Sequence, residues 1–281
     1  MVAVVAIDIG VGLPADVEGV TPAQLVRWAR QAEDLGASTL ACTDRVQYPS
    51  LESLLTLASV ASVTTRARLM TSVLVAPLRT GNALFRKQIT TLDRLSEHRL
   101  VLGIGVGRRQ DDYVACGVDF SRRGRALDDQ LDAGFPSVAG MPGERLLFGG
   151  NSRATVNRVV RHGGGWIAAA GLGAWDRTAA LATEVRAAWA QAGKPGAPRL
   201  VAMIYAAAGP RARADADRHI HSYYGFLGAE RAAELASHVV TDPGQLVETR
   251  DRIAEAGFSE LLLLPTSAEP EHLEALKAAV G

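Results

Sequence analysis

The chain has 281 residues, of which 48% are hydrophobic and 21% are charged. A chain of this length can form one large hydrophobic core, and α/β barrels of this size commonly form single domains. Its 30 Lys and Arg residues are balanced by 30 Asp and Glu residues, which disfavours nucleic acid and anionic membranes as partners. We therefore expect a single domain over residues 1–281 that acts on a small-molecule substrate.

The N-terminal segment "MVAVVAIDIG" is apolar, but it has no basic residues before the apolar run and Asp8 interrupts it. It therefore lacks the pattern of a signal peptide. No apolar run approaches the ~20 residues that a membrane span requires. Cys42 and Cys116 have no metal-binding or redox spacing, which indicates reduced thiols. Together these features predict a cytoplasmic protein.

Short runs rich in Val, Ile and Leu alternate with longer segments of helical period, the pattern of a parallel sheet covered by helices. Eight such runs favour a (β/α)8 TIM barrel. A doubly wound sheet stays open as an alternative, because closure of a sheet cannot be read from the pattern. The predicted strands are residues 2–9, 39–43, 68–75, 100–106, 146–148, 165–170, 200–206 and 260–264.

The first predicted helix has clear boundaries, with Thr21 as N-cap, Pro22 at the first helical position and Gly36 at the end. Two further helices begin near Glu52 and Asn82. The Gly- and Pro-rich stretch 132–145 predicts a loop. The remaining predicted helices are residues 153–162, 174–193, 211–237, 242–257 and 269–280.

In a parallel barrel, functional side chains gather at the carboxyl ends of the strands. These ends are residues 10–13, 43–45, 72–77, 105–109, 149–152 and 170–172. The motif "CTDR" places Asp44 and Arg45 directly after a buried strand. Either these two residues belong to a site, or Asp44 only caps the next loop and pairs with a neighbouring cation.

The segment "LGIGVGRRQDD", residues 102–112, has alternating glycines and does not meet the dinucleotide fingerprint G-x-G-x-x-G. The glycines either let the backbone approach a flat ligand or only relieve crowding at a strand end. Arg108 and Arg109 offer a contact for an anion, or form a solvated rim. We interpret Asp111 and Asp112 as surface charge.

The segment "LLFGGNSRATVNRV", residues 146–159, passes from a strand through Gly-Gly-Asn-Ser into a helix. Exposed N–H groups at a glycine turn and a helix start are typical of an anion site. A serine N-cap alone would explain Ser152, so the pair Gly149 and Gly150 is what indicates a phosphate.

The strand "LMTSVLVAP" contains two adjacent hydroxyls, Thr71 and Ser72, just before its apolar end. A buried hydroxyl without a partner costs roughly 1–3 kcal/mol. The hydroxyls are therefore satisfied by neighbours or face a polar group that is not part of the chain. The six histidines have no ligand spacing, so we expect no metal site.

In this order, the segments "AEDLGASTLACTDR", "TTRARLMTSVLVAPLRTGNALFRKQITTLDRLSEHRLVLGIGVG" and "LLFGGNSRATVNRVVRHGGGWIAAA" resemble the bacterial luciferase-like family of flavin and deazaflavin oxidoreductases. The resemblance spans most of residues 33–170. It implies a (β/α)8 barrel with an insertion, here shortened between residues 131 and 146, and a homodimer. The stretch "TSVLVAP" is similar to the branch that depends on coenzyme F420.

The resemblance implies a cofactor site at the carboxyl ends of the strands. A non-prolyl cis peptide bond would join Ser72 and Val73, with the Val73 side chain behind the ring of the cofactor. Asp44 would touch the polar end of the ring. The residues expected along the ring, the ribityl chain and the phosphate are Val106, Gly107, Arg108, Gly149, Gly150, Asn151 and Ser152.

This sequence departs from the family pattern at Arg45, where the family often has His, and at Gly164, where Asp is frequent. A polar or acidic residue is common in the family where Val106 and Arg108 stand. Arg45 is too basic to donate a proton. We therefore expect Arg45, with Arg108, to bind an anionic substrate group.

We expect hydride transfer between coenzyme F420 and a C=C or C=N bond, with Asp44 or a water as proton relay. One alternative is an FMN-dependent monooxygenase that uses reduced flavin and oxygen. Another is a non-catalytic flavin-binding relative, consistent with the missing His and the shortened insertion. A separate flavin or F420 reductase would supply the reduced cofactor.

Overall fold

The computed structural model describes residues 7–79, 82–135 and 140–280. Eight parallel strands close into a barrel that is surrounded by helices, so the predicted (β/α)8 architecture is confirmed and the doubly wound alternative is wrong. The third barrel strand is divided into two segments, β3 and β4. Both pair with β5, and this pairing closes the barrel.

The predicted strands correspond closely to the observed ones, except that residues 2–6 of the first prediction lie outside the described part. The observed strands are β1 (Asp8–Gly12), β2 (Thr39–Cys42), β3 (Arg68–Thr71), β4 (Leu74–Val75), β5 (Leu100–Gly105), β6 (Leu146–Gly149), β7 (Gly165–Ala169), β8 (Arg199–Tyr205) and β9 (Glu260–Leu264).

The break between β3 and β4 is a cis peptide bond between Ser72 and Val73. The bond implied by the family resemblance is therefore present. It lies at the carboxyl end of the third barrel strand, next to the last residues of β5. The interruption follows the two hydroxyl residues of "TSVL" and explains why the apolar strand pattern of residues 68–75 forms two segments.

Eleven α-helices lie among the described residues. They are α1 (Pro22–Asp34), α2 (Ser53–Ala61), α3 (Asn82–Leu95), α4 (Gln110–Ala115), α5 (Arg123–Asp132), α6 (Arg153–His162), α7 (Trp175–Gln191), α8 (Ala212–Tyr224), α9 (Ala229–Ser237), α10 (Pro243–Glu255) and α11 (Pro270–Val280).

Helix α1 begins as its sequence predicts. The Thr21 side chain accepts from the backbone N–H of Gln24, and the Gln24 side chain accepts from the N–H of Thr21. This reciprocal pair is a capping box, which satisfies two N–H groups that the helix itself leaves unpaired. Trp28 in the middle of α1 is fully buried, and its indole N–H donates to the Gly12 carbonyl at 3.0 Å. The helix is thereby attached to the end of β1.

One helix prediction needs correction, and two helices were missed. The single helix predicted over residues 211–237 is two helices, α8 and α9, separated by a 3₁₀ turn at Gly225–Leu227. Gly228 has φ 91°, a conformation that is easy for glycine and ends a helix. Helices α4 and α5 were not predicted, because both are short and present few apolar positions to an amphipathic pattern. The predicted loop 132–145 includes residues 136–139, which lie outside the described part.

The barrel interior is a compact apolar layer contributed by successive strands. Val73 and Met203 pack against this layer from the carboxyl end of the barrel. The larger core lies between the strands and the helices. The interior layer consists of Ala41, Met70, Val101, Leu147, Ile167, Val201 and Leu262.

His272 in α11 lies in the core against Trp28, with ring centroids 6.2 Å apart. Neither ring nitrogen makes a hydrogen bond of good geometry within the described residues. Burial lowers the pKa of His272 to about 4, against opposing effects of Asp215 and of the nearby backbone of Ala208 and Ala206, while His219 lowers the pKa further. The charged imidazolium is therefore disfavoured in the folded state.

We expect this histidine to make stability depend on pH. Because its pKa is lower in the folded than in the unfolded chain, its contribution is complete above pH 6.5 and is lost as the pH falls towards 4. The loss should reach about 3 kcal/mol. Urea unfolding across this range checks it: His272→Phe should flatten the pH dependence, whereas replacement of the exposed His221 should leave it unchanged. An unaltered slope in His272→Phe would contradict the prediction.

Candidate functional site

The two hydroxyl groups of "TSVL" differ in their hydrogen bonding. The Thr71 hydroxyl donates to the Gly103 carbonyl at 2.7 Å. The Ser72 backbone N–H donates to the Cys42 carbonyl at 2.8 Å, but its buried hydroxyl has no partner among the described residues. A buried hydroxyl in that state is costly, so Ser72 is a polar group that a ligand can satisfy.

Val73 packs directly over glycines of two neighbouring strands. A Cβ atom at Gly149 would lie 2.8 Å from Val73 Cγ1, and one at Gly105 would lie 2.9 Å from Val73 Cγ2. Real Cβ contacts are not that short, so both positions require glycine while Val73 keeps its place. The carboxyl ends of β5 and β6 therefore meet the Val73 side chain at the barrel mouth. We call Ser72, Val73, Gly105 and Gly149 the glycine platform.

The turn after β6 continues this surface. Gly150 has φ 131°, and its carbonyl accepts from the Trp166 indole N–H at 2.7 Å. Ser152 is the N-cap of α6, and its side chain makes no capping hydrogen bond. The residues from Gly150 to Ser152 are exposed. The turn thus presents the start of a ten-residue helix, where N–H groups and the helix dipole favour an anion.

Asp44 lies at the end of β2 and is buried. Its carboxylate accepts from the Ser53 hydroxyl at 2.9 Å, from the Val75 backbone N–H at 2.8 Å and from the Arg79 guanidinium at 2.8 Å. Both oxygens are therefore occupied. Asp44 joins β2 to α2 and to the chain just beyond the cis peptide bond, which is a stabilising role rather than that of a free proton relay.

Arg45 is buried and pairs with Asp112 at 2.7 Å. Burial raises the pKa of Asp112, but hydrogen bonds from Arg45 and from the N–H groups of Gln47 and Val46 outweigh it and keep the pKa below its usual value. The interpretation of Asp112 as surface charge is wrong. Because Asp112 neutralises it, Arg45 does not present a free charge to an anionic substrate, contrary to expectation.

Arg108 and Arg109 differ in their surroundings. The Arg109 guanidinium lies 3.9 Å from the centroid of the Phe226 ring and pairs with Asp111. Arg108 is exposed and makes no ion pair with any residue that the structure describes. Of the two, Arg108 is the one that remains available to an anion.

Sequence reasoning missed an aromatic cluster on α8. Tyr223 packs edge-on against Tyr48, with ring centroids 5.0 Å apart, and its ring lies 5.3 Å from the Arg45 guanidinium carbon. His219 stacks on Tyr223 at 5.9 Å. The available signal was the segment "HIHSYYGF" at residues 219–226, which is aromatic-rich in a chain with only 5% aromatic residues.

Asp16 follows β1 and is also buried near this cluster. Its carboxylate accepts from the Thr43 hydroxyl at 3.0 Å. Burial raises the pKa of Asp16, although His219, Thr43 and Arg45 act in the opposite direction. Asp16 is therefore a further buried carboxylate at the barrel mouth, besides Asp44 and Asp112. The sequence did not indicate it, because no motif surrounds it.

The chain is similar to known proteins in sequence and in fold. Residues 3–134 match the family model described as luciferase-like monooxygenase. The matched residues make up just under half of the chain. The match includes β1 to β5 and therefore the cis peptide bond, Asp44 and the glycines that follow β5, so the family resemblance seen in the sequence is confirmed.

The curated relatives of this chain are distant. The first of them, uncharacterized proteins of Mycobacterium bovis and Mycobacterium tuberculosis, are 26% identical over 185 residues, and the chain spans 64% of their length and 49% of its own. A protein of Kineococcus radiotolerans named F420-dependent glucose-6-phosphate dehydrogenase is 35% identical over 117 residues, which is 39% of this chain and 34% of that protein.

Solved structures share the fold over almost the whole chain. An F420-dependent secondary alcohol dehydrogenase in complex with an F420–acetone adduct has a TM-score of 0.76 at 15% identity, covering 98% of this chain and 99% of its own. The oxygenating constituent of 3,6-diketocamphane monooxygenase from Pseudomonas putida, in complex with FMN, has a TM-score of 0.67 at 17% identity, covering 97% and 96%. At these identities the likeness shows the barrel fold alone.

Two further findings concern the described residues. None of their helices is long and apolar enough to cross a membrane. Within the same part of the chain, no three His, Cys, Asp or Glu side chains are grouped so that they could hold a metal ion.

Proposed function

We propose that this luciferase-like protein is an oxidoreductase that transfers a hydride between coenzyme F420 and a small organic substrate. The observation that carries the proposal is the buried, unpartnered Ser72 hydroxyl beside the cis peptide bond. This polar atom lies at the carboxyl end of the barrel, where ligands of such barrels bind, and next to the glycine platform.

The residues present fit a flat tricyclic cofactor with a phosphate. Val73 would support the ring from behind, and the Ser72 hydroxyl would bond to its polar edge. Val106 and Gly107 would lie along the ring or the ribityl chain. The N–H groups of the turn from Gly149 to Ser152, with Asn151, would hold the phosphate, since Ser152 leaves the helix start uncapped.

When bound, the deazaflavin supplies the hydride from C5 of its ring. The protein contributes orientation and electrostatics. Asp44 supports the site by holding the Val75 N–H and Arg79. With both Asp44 oxygens occupied, a water is the better proton relay. Arg108 is the remaining candidate for an anionic substrate group. We propose that the product of a C=C or C=N reduction leaves from this mouth, and that a separate reductase supplies reduced cofactor.

Two observations bear on the choice of cofactor. The relative from Kineococcus radiotolerans is named as F420-dependent, and the motif "TSVLVAP" is similar to the deazaflavin branch. The likeness to an FMN-bound monooxygenase keeps an FMN-dependent monooxygenase as the second candidate. The two differ in chemistry, because reduced flavin reacts with oxygen and the reduced 5-deaza ring does not.

Titration of the purified protein with F420 and, separately, with FMN tests the assignment through cofactor fluorescence. We expect F420 to bind, and we expect Ser152→Asp to weaken binding by tenfold or more, because the added carboxylate repels the phosphate at the helix start. Aspartate is a good N-cap, so the helix should stay folded.

Two variants serve as controls. Ser152→Asn has the size of aspartate without its charge and should bind nearly as well as the wild type. Ser62→Asp adds the same charge at the end of α2, on the opposite side of the barrel, and should have no effect. Binding of FMN with oxygen uptake, and no binding of F420, would replace the first candidate by the second. Unchanged affinity in Ser152→Asp would remove the phosphate assignment.

A further inference from the structure

A cavity opens at the carboxyl end of the barrel strands, on the side of β1 and β9. It has a volume of about 250 Å³, which is just below the lower end of pockets for drug-sized ligands, roughly 300–1,000 Å³. Its walls come from the loops after β1, β2 and β9 and from helix α8. None of these residues belongs to the glycine platform or to the turn before α6.

Two walls of the cavity carry buried polar atoms without partners. The Thr266 hydroxyl is one, and Nε2 of His219 is the other; neither has a hydrogen-bond partner among the described residues. Thr266 is 1% exposed and His219 is 4% exposed. Such atoms reduce stability unless something bonds to them, so a polar ligand in the cavity would satisfy both.

Two other hydroxyl groups in the cavity wall are paired with each other. The Tyr48 hydroxyl lies 2.9 Å from the Ser222 hydroxyl. This pair leaves one donor between its two oxygens and adds acceptor capacity to the cavity. The inner surface therefore combines hydroxyl and imidazole groups that both donate and accept.

The rim of the cavity is electrically balanced. Arg211 and Arg218 line it on one side, and both approach the buried carboxylate of Asp215. Glu18 and Glu269 line the other side. Because both arginines are engaged by Asp215, the described part of the rim offers no free cation to an anion, and the hydroxyl and imidazole groups of the inner wall match an uncharged ligand.

We propose that this cavity binds a small, uncharged molecule with two or more hydroxyl groups, held by Thr266 and His219. The size of the cavity limits the ligand to a few carbon atoms. Thr266 and His219 can both donate and accept, which suits a hydroxyl that does the same. The proposal does not depend on the cofactor, because every residue that it uses lies outside the cofactor site.

The test uses the full chain without cofactor and follows binding by saturation-transfer NMR. Erythritol is the probe, with acetate and methylammonium as charged comparators. We expect saturation transfer to erythritol and little to either ion, and at least a fivefold loss of the erythritol signal in Thr266→Val and in His219→Phe. Phenylalanine keeps the aromatic contact of position 219 with Tyr223.

Thr64→Val is the matched control. The Thr64 hydroxyl is buried too, but it donates to the Val60 carbonyl at 2.8 Å, far along the chain from the cavity. This variant should lower the melting temperature and leave erythritol binding intact. Thr266→Val should instead melt at or above the wild-type temperature, because it removes a hydroxyl without a protein partner.

Three results would overturn the proposal: erythritol binding that survives both cavity variants, stronger binding of acetate than of erythritol, or a loss of stability in Thr266→Val as large as in Thr64→Val. Failure of F420 to bind would leave these measurements unaffected. The two assignments can therefore fail independently.

Discussion

Replacement of Asp44 by Ala is expected to lower the free energy of unfolding by about 3 kcal/mol, the range seen when one partner of a buried ion pair is removed. The Asp44 side chain is 1% exposed and that of Arg79 is 15% exposed. The variant leaves the Val75 N–H without its acceptor and leaves Arg79 with Glu52 as its remaining ion-pair partner. Urea denaturation with a two-state fit measures the change.

The pair of Arg68 and Asp8 provides a matched control. Its charged atoms are 2.8 Å apart, as in the pair of Arg79 and Asp44, but the side chains are 39% and 57% exposed. Exposed pairs contribute about 0–1 kcal/mol, so Asp8→Ala should have little effect. A loss of only about 0–1 kcal/mol in Asp44→Ala, the range of the exposed pair, would show that Asp44 does not stabilise the barrel, and would return it to consideration as a proton relay.

The second large effect is expected at Gly150. An alanine Cβ there would lie 2.5 Å from the Thr155 hydroxyl oxygen, and the backbone has φ 131°. Alanine cannot occupy this position unless the turn before α6 changes its path. We expect Gly150→Ala to weaken cofactor binding by tenfold or more, because the N–H groups that we propose to hold the phosphate would be displaced. The same fluorescence titration measures it.

Gly193→Ala controls for the cost of a left-handed conformation. Gly193 has φ 64°, and a Cβ atom added there would meet nothing within 4 Å. It follows α7, away from the barrel mouth, so the variant should lose some stability and no affinity. Circular dichroism and the melting temperature show whether Gly150→Ala is folded. A folded Gly150→Ala protein with wild-type affinity would exclude the turn as the phosphate site.

The two substitutions test different properties of the barrel mouth: Asp44→Ala tests its stability, and Gly150→Ala tests the proposed phosphate-binding turn. Asp44 acts on stability through contacts that hold the chain after the cis peptide bond. Gly150→Ala tests the proposed phosphate site through the path of an exposed turn. A protein in which Asp44→Ala loses stability but the surviving folded fraction binds cofactor normally would agree with both assignments.

The sequence alone determined the order and type of most elements. Helix α1 shows why: Thr21 and Pro22 are adjacent local signals for a helix start, and the structure begins the helix there, with Gln24 completing a capping box. The parallel strands were equally visible, because strands buried on both faces are continuous apolar runs. The sequence did not predict elements whose local signals are weak, namely the short polar helices α4 and α5.

The tertiary structure alone decided which polar groups are free. Asp112 is 67 residues from Arg45 in sequence, and no local pattern reports their pairing. The same holds for the Ser72 and Thr71 hydroxyls, which are adjacent in sequence but differ in whether a strand carbonyl lies within reach. Hydrogen bonding and burial depend on contacts between distant segments, so the sequence determined where the barrel mouth lies, and only the fold decided which of its side chains remain available to a ligand.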